Sequence, residues 1–299
     1  MPSIRIWISA FRLRTLPLSF AIVLTSAAVS VQNSCFSTAI FILELTTTLF
    51  LQILSNLSND YGDTVHGADS GERVGPQRAV QSGAISLSAM RRAVIVLSVL
   101  ALLSGIGLLW VGYEHIGLLN VVILLVVGLL CIGAAITYTA GKHPYGYAGL
   151  GDFSVFIFFG IVGVVGCYFL HSGSLSTSIF LLASAIGFLS IGVLNMNNIR
   201  DMQSDITANK RTIPIIIGRN NAKRYQFILM TMAIILIATY IATFGTNLQW
   251  ISLIVAIPLM SNAIRTLRND SHTFFDSQLK LISISTFLFS ITFLLTSTL

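Results

Sequence analysis

The amino-acid sequence predicts an all-α polytopic membrane protein with about nine transmembrane helices around a central cavity. Of its 299 residues, 55% are hydrophobic and only 9% are charged, which is too apolar for an ordinary soluble domain. Several apolar stretches approach the roughly 20 residues that a helix needs to cross the hydrocarbon core. The Lys and Arg residues are confined to alternate segments between these stretches, as in a multi-pass protein. We expect a single integral-membrane domain over residues 1–299.

The chain begins with a basic, amphipathic segment, residues 1–15, which we expect to lie at the membrane interface. Pro17 is compatible with the first turn of the helix that follows, because its nitrogen needs no hydrogen bond there. The apolar stretches then predict nine spans. Their ranges are 16–31, 38–57, 94–112, 117–138, 153–170, 178–198, 225–244, 250–264 and 281–299.

The positions of the basic residues predict the orientation of these spans. With the N-terminus inside, the inner segments are 1–15, 58–93, 139–152, 199–224 and 265–280, and all 17 Lys and Arg residues fall in them. This is the pattern of the positive-inside rule. We therefore expect a protein of the cell inner membrane, with its N-terminus and polar loops in the cytoplasm. The net charge of +6 then reflects topology, and we expect no nucleic-acid partner.

A polar cluster, residues 195–218 (NMNNIRDMQSDITANKRTIPIIIG), lies at the exit of the predicted sixth span. If the helix continues, Asp201 and Asp205 stand at i and i+4 and share one face, with Asn198 close to it. Carboxylate and amide oxygens suit Mg²⁺, and the cations Lys210 and Arg211 suit a phosphate.

A second cluster, residues 56–83, lies at the exit of the predicted second span. Asn56 and Asp60 are again i and i+4, and Asp63 follows three residues later. A Gly-rich loop then supplies further charges, namely Asp69, Arg73 and Arg78.

Either cluster alone is compatible with a solvated helix end at the membrane surface. However, six of the 11 acidic residues lie in these two stretches of a chain that is only 9% charged. Two carboxylate clusters, each followed by Lys or Arg, therefore predict a site for a Mg²⁺-diphosphate. The three cysteines have no CxxC spacing and predict neither a disulfide framework nor a metal site.

The two clusters resemble the motifs of the UbiA superfamily of intramembrane aromatic prenyltransferases. That family carries an N-x-x-x-D type motif after its second helix and a D-x-x-x-D motif after its sixth, and NLSNDYGD and DMQSD stand here at those places. The segments SNDYGDTVHGAD, RVGPQRAVQSG, NNIRDMQSD and YTAGKHPYGYAGLGD are similar to the branch that prenylates 1,4-dihydroxy-2-naphthoate. The resemblance covers roughly residues 10–220. Asp152 stands where that branch more often has Glu, and Asn209 where an Asp is common.

The resemblance implies a UbiA-type fold and a Mg²⁺-dependent transfer of a polyprenyl group from a polyprenyl diphosphate to 1,4-dihydroxy-2-naphthoate, with loss of CO₂ and diphosphate. It implies Asn56, Asp60, Asp63, Asp201 and Asp205 as metal ligands. It implies that the substrates are bound by Asn56, Asn59, Asp69, Arg73, Arg78, Tyr138, Asn195, Asn198, Lys210, Arg211 and Arg12.

Six single residues have further hypotheses. Tyr138, Tyr145 and Tyr147 are expected to shield the allylic cation with their rings, although an aromatic belt at the membrane interface also explains tyrosines there. Arg12 or Arg14 would bind the carboxylate of the acceptor, or would only anchor the topology. Asp152 is a candidate base for an acceptor hydroxyl.

Two other functions remain open from the sequence. A secondary transporter would also carry intramembrane carboxylates, but its site usually lies near the bilayer midplane, whereas these acids cluster at one face. A prenyltransferase of the same family could act on another acceptor, such as 4-hydroxybenzoate or haem.

Overall fold

The computed structural model describes residues 3–67 and 78–299, and the regular elements in these residues are all helical. Short 3₁₀ turns at Leu13–Thr15 and Tyr145–Ala148 lie in two of the connections. The helices, in chain order, are α1 (Ile4–Phe11), α2 (Leu16–Gln32), α3 (Thr38–Val65), α4 (Leu87–Thr137), α5 (Gly151–Ser172), α6 (Ile179–Arg200), α7 (Met202–Thr207), α8 (Ile213–Ile217), α9 (Arg219–Phe244), α10 (Asn247–Arg268) and α11 (His272–Ser297). The predicted all-α membrane class is confirmed.

Within the described ranges, eight helical stretches are long and apolar enough to cross a membrane, and one of them, α4, is long enough to cross twice. Its 51 residues would measure about 76 Å as one straight helix, more than twice the thickness of the hydrocarbon core. Gly117 breaks it with φ 74° and ψ 166°, a conformation that favours glycine. The His115 carbonyl lies against Gly173 at one end of the bundle, while Thr139 donates a 3.0 Å hydrogen bond to the Ser58 carbonyl at the other. The turn at Gly117 thus accounts for the predicted count of about nine.

The helices that carry the two polar clusters continue beyond their apolar stretches. The second span was predicted to end at residue 57, but α3 runs to Val65, because a helix satisfies its own backbone hydrogen bonds whatever its side chains are. After α6 the backbone bends at Asp201, where φ is −93° and ψ is 7°, and α7 begins. The Asp205 amide still donates to the Asp201 carbonyl at 2.9 Å, so the i, i+4 relation survives the bend.

The bundle packs as two groups of helices with a cavity between them. One hydrophobic core lies among α2, α5, α6, α9, α10 and α11, and it contains the buried rings of Tyr240 and Phe289. A second core lies mainly between α3 and α4, around Leu54 and Met90. Because helix association in lipid depends on packing and polar contacts, these two cores hold the cavity walls in place.

Candidate active site

A polar cavity of about 120 Å³ lies where the ends of α3 and α6 meet. Both motifs contribute to its lining, as do the 139–147 connection and the segment after α7. The predicted site residues that line it are Arg12, Asn59, Asp63, Arg78, Tyr138, Asn198, Asp201, Asp205 and Lys210. Tyr147, one of the three tyrosines that the sequence singled out, also lines this cavity. So do residues that the sequence did not single out as site residues, among them Thr139, Asn197, Ser204 and Thr212.

Asp63, in the last turn of α3, is the most heavily contacted carboxylate of this cavity. It forms an ion pair with Arg78 and accepts a hydrogen bond from the Tyr147 hydroxyl. The ammonium group of Lys210 lies 3.1 Å from its Oδ1 atom. Three donors from three different segments therefore converge on one carboxylate.

Lys210 connects the two motifs. Its Nζ atom is 3.1 Å from Asp63 and 3.5 Å from Asp205, and it lies 4.6 Å from the centre of the Tyr147 ring. Its backbone amide donates to the Asp205 carbonyl at 2.9 Å, which fixes the turn after α7. A single cation thus bridges carboxylates that are about half the chain apart.

The second motif carries its own counter-charge in Arg200, which is 3% exposed. The guanidinium binds both oxygens of Asp201 at 2.7 Å, and it also donates to Asn197 at 2.8 Å. Its third partner is Asp276 of α11, again at 2.8 Å. Arg200 could have been noticed because it stands next to Asp201 in NNIRDMQSD, whereas nothing in the sequence around Asp276 points to this contact.

The surroundings of Asp205, in the second motif, alter its protonation. Burial raises its pKa to about 6; the charge of Lys210 opposes this shift, and those of Asp201 and Asp63 add to it. A further cation bound beside Asp205 would favour its ionised form.

Two predicted residues of the first motif do not line the polar cavity. Asp60 is 1% exposed and accepts the backbone N–H groups of Ala79 at 3.1 Å and Val80 at 3.3 Å. Asn56 donates to the carbonyl of Phe11, the last residue of α1, and to the hydroxyl of Thr15 in the turn before α2, each at 2.9 Å. Both side chains anchor neighbouring segments.

Other predicted residues also lie away from the polar cavity. Asn195 is fully buried and donates to Gln226 of α9 at 2.9 Å. Asp152 is 7% exposed and lies beside Tyr225. The Arg211 side chain is exposed, and its backbone amide donates to the Tyr147 carbonyl at 2.9 Å. The predicted residues Asp69 and Arg73 lie outside the described part of the chain.

A larger, mostly apolar cavity of about 450 Å³ continues from the polar one between α2, α3, α4, α5, α6 and α11. The residues common to both linings are Arg12, Asn59, Tyr138, Leu194 and Asn197. Tyr138 therefore lies at the junction. Gly146 and Gly151 pack against it so closely that an added Cβ atom would come within 2.9 Å of its ring and 2.8 Å of its hydroxyl, respectively.

The chain is similar in sequence to known proteins. The model of the UbiA prenyltransferase family matches residues 19–291. A protein of Escherichia coli (strain K12) named 1,4-dihydroxy-2-naphthoate octaprenyltransferase is 40% identical over 263 residues, which is 88% of this chain and 85% of the relative.

Two solved structures share the fold. The apo structure of a UbiA homolog from Aeropyrum pernix K1 has a TM-score of 0.70 and 16% identity, covering 92% of this chain and 96% of that one. A UbiA homolog from Archaeoglobus fulgidus bound to GPP and Mg²⁺ has a TM-score of 0.59 and 15% identity, covering 95% and 99%.

Proposed function

This chain belongs to the UbiA prenyltransferase family, and from that premise we propose that it transfers a polyprenyl group from a polyprenyl diphosphate to 1,4-dihydroxy-2-naphthoate in the membrane. The observation that carries the proposal is the junction of the two cavities, because it offers adjoining space for a charged head group and an apolar tail. The name of the Escherichia coli relative supports the choice of acceptor, and the eight apolar helices make this a multi-pass membrane protein.

The polar cavity is suited to the diphosphate of the donor. Arg78 and Lys210 supply positive charge next to Asp63, and charge-assisted hydrogen bonds to phosphate oxygens are among the strongest in proteins. Thr212 is buried, and its hydroxyl lines this cavity without a hydrogen-bond partner among the described residues. A diphosphate oxygen would satisfy that hydroxyl.

The donor set of the polar cavity also suits Mg²⁺. Oxygens of Asp63, Asp201, Asp205, Asn59 and Asn198 line one small space, and hard oxygen ligands are those that Mg²⁺ prefers. Within the described residues no three acidic, His or Cys side chains are already grouped as a metal site. Lys210 instead bridges Asp63 and Asp205, an arrangement that a diphosphate with its metal would replace. Bound Mg²⁺ would neutralise negative charge on the leaving diphosphate.

The apolar cavity would receive the allylic part of the donor. When the carbon–oxygen bond breaks, its electron pair leaves with the diphosphate, and the allylic carbon becomes a cation. Tyr138 stands at the junction, where its ring can stabilise positive charge. The apolar lining excludes water, which would otherwise quench the cation. The ring of the acceptor then supplies the electron pair of the new carbon–carbon bond. When the bond between the ring and its carboxylate breaks, the electron pair stays with the ring and CO₂ leaves.

The experiment that tests this function uses the purified protein in lipid with octaprenyl diphosphate, Mg²⁺ and one acceptor at a time. We expect mass spectrometry to detect a prenylated, decarboxylated naphthalene product, and we expect EDTA to abolish it. Parallel reactions contain 4-hydroxybenzoate or haem. A product with either of these and none with the dihydroxynaphthoate would assign another acceptor, and no diphosphate release with any acceptor would contradict the enzyme assignment.

We further propose that both motifs face the cytoplasm, since all 17 basic residues lie in the segments assigned to that side. Thr177 and Asn220 are exposed and lie at opposite ends of the bundle. In a variant with its native cysteines replaced by serine, Thr177→Cys should react with an impermeant thiol reagent from outside the inner membrane, and Asn220→Cys should not. The reverse labelling would invert the orientation.

A further inference from the structure

The apolar cavity has a polar patch on one wall, formed by Thr15, Ser19, Gln52 and Asn56 of α2, α3 and the turn before α2. An unsaturated hydrocarbon tail has no group that could hydrogen-bond to these side chains. Covering a buried amide with such a tail costs free energy, because the amide loses water and gains no partner. The patch therefore faces something other than the tail.

The orientation of the amides in this patch follows from one fixed contact. The Phe11 carbonyl can only accept a hydrogen bond, so the Asn56 atom 2.9 Å away from it must be the NH₂ group. The Asn56 oxygen then faces Gln52, whose NH₂ group lies 3.4 Å from it. The Gln52 oxygen is consequently directed at Ser19, whose hydroxyl donates to it.

Gln52 thus presents a hydrogen-bond donor to the cavity. Its oxygen is occupied by Ser19, and one N–H is directed at Asn56 over a long distance. The described residues offer no acceptor for the second N–H, and the side chain borders the cavity while the residue is 9% exposed. A donor held in this way selects a ligand with an oxygen atom at the matching place.

We propose that Gln52 recognises a hydroxyl or carboxylate oxygen of the aromatic acceptor and so determines which hydroxylated aromatic acids are prenylated. This inference rests on the proposed function. The diphosphate is not the ligand of Gln52, because the polar cavity that suits it does not include this residue. Gln52 precedes Asn59, which lies at the junction of the cavities, by seven residues, about 10 Å along α3. A ring held by Gln52 can therefore extend toward the allylic carbon.

The test compares Gln52→Leu with Gln278→Leu. Gln278 of α11 is also buried, and it bonds with Asn262 at 3.2 Å, but it lines neither cavity. For each variant we would measure KM for acceptor and donor. We expect Gln52→Leu to raise the acceptor KM about tenfold with the donor KM within twofold of wild type, because one buried hydrogen bond is lost. Gln278→Leu should change neither KM, although it lowers thermal stability.

A second measurement identifies the oxygen. Wild type and Gln52→Leu are titrated calorimetrically with 1,4-dihydroxy-2-naphthoate and with analogues that lack the 1-hydroxyl, the 4-hydroxyl or the carboxylate. This readout needs no turnover. The wild type should bind each analogue more weakly than 1,4-dihydroxy-2-naphthoate. In Gln52→Leu, the ratio of the two dissociation constants should fall toward one for a single analogue, the one that lacks the oxygen bound by Gln52. Unchanged discrimination for all three, or an equal rise of both KM values, would overturn the assignment.

Ser19→Ala keeps the inference testable if Gln52→Leu does not fold. Without the Ser19 hydroxyl the Gln52 amide keeps only its long contact with Asn56, and we expect the acceptor KM alone to rise about threefold. An unchanged acceptor KM in this variant would count against the proposal. If the wild type does not prenylate the dihydroxynaphthoate, the proposed function fails. If the wild type does prenylate it, but the Gln52 and Ser19 variants have the same acceptor KM as the wild type, the inference alone fails.

Discussion

The two polar motifs leave apolar helices in the same way, yet the bundle uses them differently. The first motif contains two overlapping i, i+4 pairs of Asn and Asp on α3. Asn59 and Asp63 line the polar cavity, whereas Asn56 and Asp60 are engaged with the turn before α2 and with residues 79–80. At 3.6 residues per turn, the two pairs differ in direction by about 60° around the helix axis. Because of that rotation, one pair faces the polar cavity and the other pair holds the neighbouring segments in place.

The second motif places more of its side chains in the cavity. Asn198, Asp201 and Asp205 all line it, because the backbone bends at Asp201 and α7 continues in a new direction. The counter-charges differ as well. Asp63 depends on cations from other segments, while Asp201 is bound by the adjacent Arg200. The comparison teaches that two motifs with the same local spacing can differ in how many of their side chains line the cavity.

The largest expected effect separates the two pairs of the first motif. We expect Asp63→Asn to lower kcat/KM about 1,000-fold, because the carboxylate lies among the groups proposed to hold the metal and the diphosphate. Asp60→Asn should lower it only about tenfold and should reduce thermal stability, since it weakens two hydrogen bonds to buried backbone. Steady-state kinetics and thermal unfolding check both. Equal losses at unchanged stability would show that both pairs serve the site.

Lys210 tests the connection between the motifs. We expect Lys210→Met to raise the donor KM about 100-fold, since a partly buried charge that contacts both Asp63 and Asp205 is lost. The acceptor KM should change far less. Arg78→Met removes a cation that is paired with Asp63 of the first motif, and it provides the matched variant. Equal rises of donor and acceptor KM would mean that the diphosphate lies elsewhere.

A substitution at Asp276, which lies outside the second motif, tests the role of Arg200 as the counter-charge of that motif. It shares Arg200 with Asp201, so Asp276→Asn should strengthen the hold of Arg200 on Asp201. We expect the Mg²⁺ concentration for half-maximal activity to rise about fivefold, with a similar weakening of Mg²⁺ binding by calorimetry. Asp270→Asn changes an exposed carboxylate that pairs with Lys223 and serves as the control. A stronger affinity for Mg²⁺ in Asp276→Asn would contradict this coupling.

The smallest effect is expected at Arg211, which neighbours Lys210 in the sequence. Its side chain is exposed and outside the cavity lining, so Arg211→Ala should leave the donor KM within about twofold of wild type. The same kinetic assay measures it. A rise comparable to that of Lys210→Met would place Arg211 on the diphosphate after all.

Much of the candidate site was predictable because its chemistry is concentrated in short segments. Asp63, Asp201, Asp205 and Lys210 were expected from two clusters of oxygen ligands followed by cations, and the structure brings them to one cavity. Asn56 and Asp60 were expected there from their i, i+4 spacing and from the resemblance to the UbiA motifs. An i, i+4 relation shows that two side chains share a face, but it does not show which face meets the cavity.

By itself the sequence determined the all-α membrane class, the approximate number of crossings and the two polar clusters. These depend on composition and local spacing, which a chain displays before it folds. Only the tertiary structure decided that Asn59 with Asp63 faces the cavity, that Lys210 joins the two motifs, and that Asp276 shares Arg200 with Asp201. These contacts depend on the rotation of each helix about its axis and on which distant segments pack together. Both are set by side-chain packing across the whole bundle.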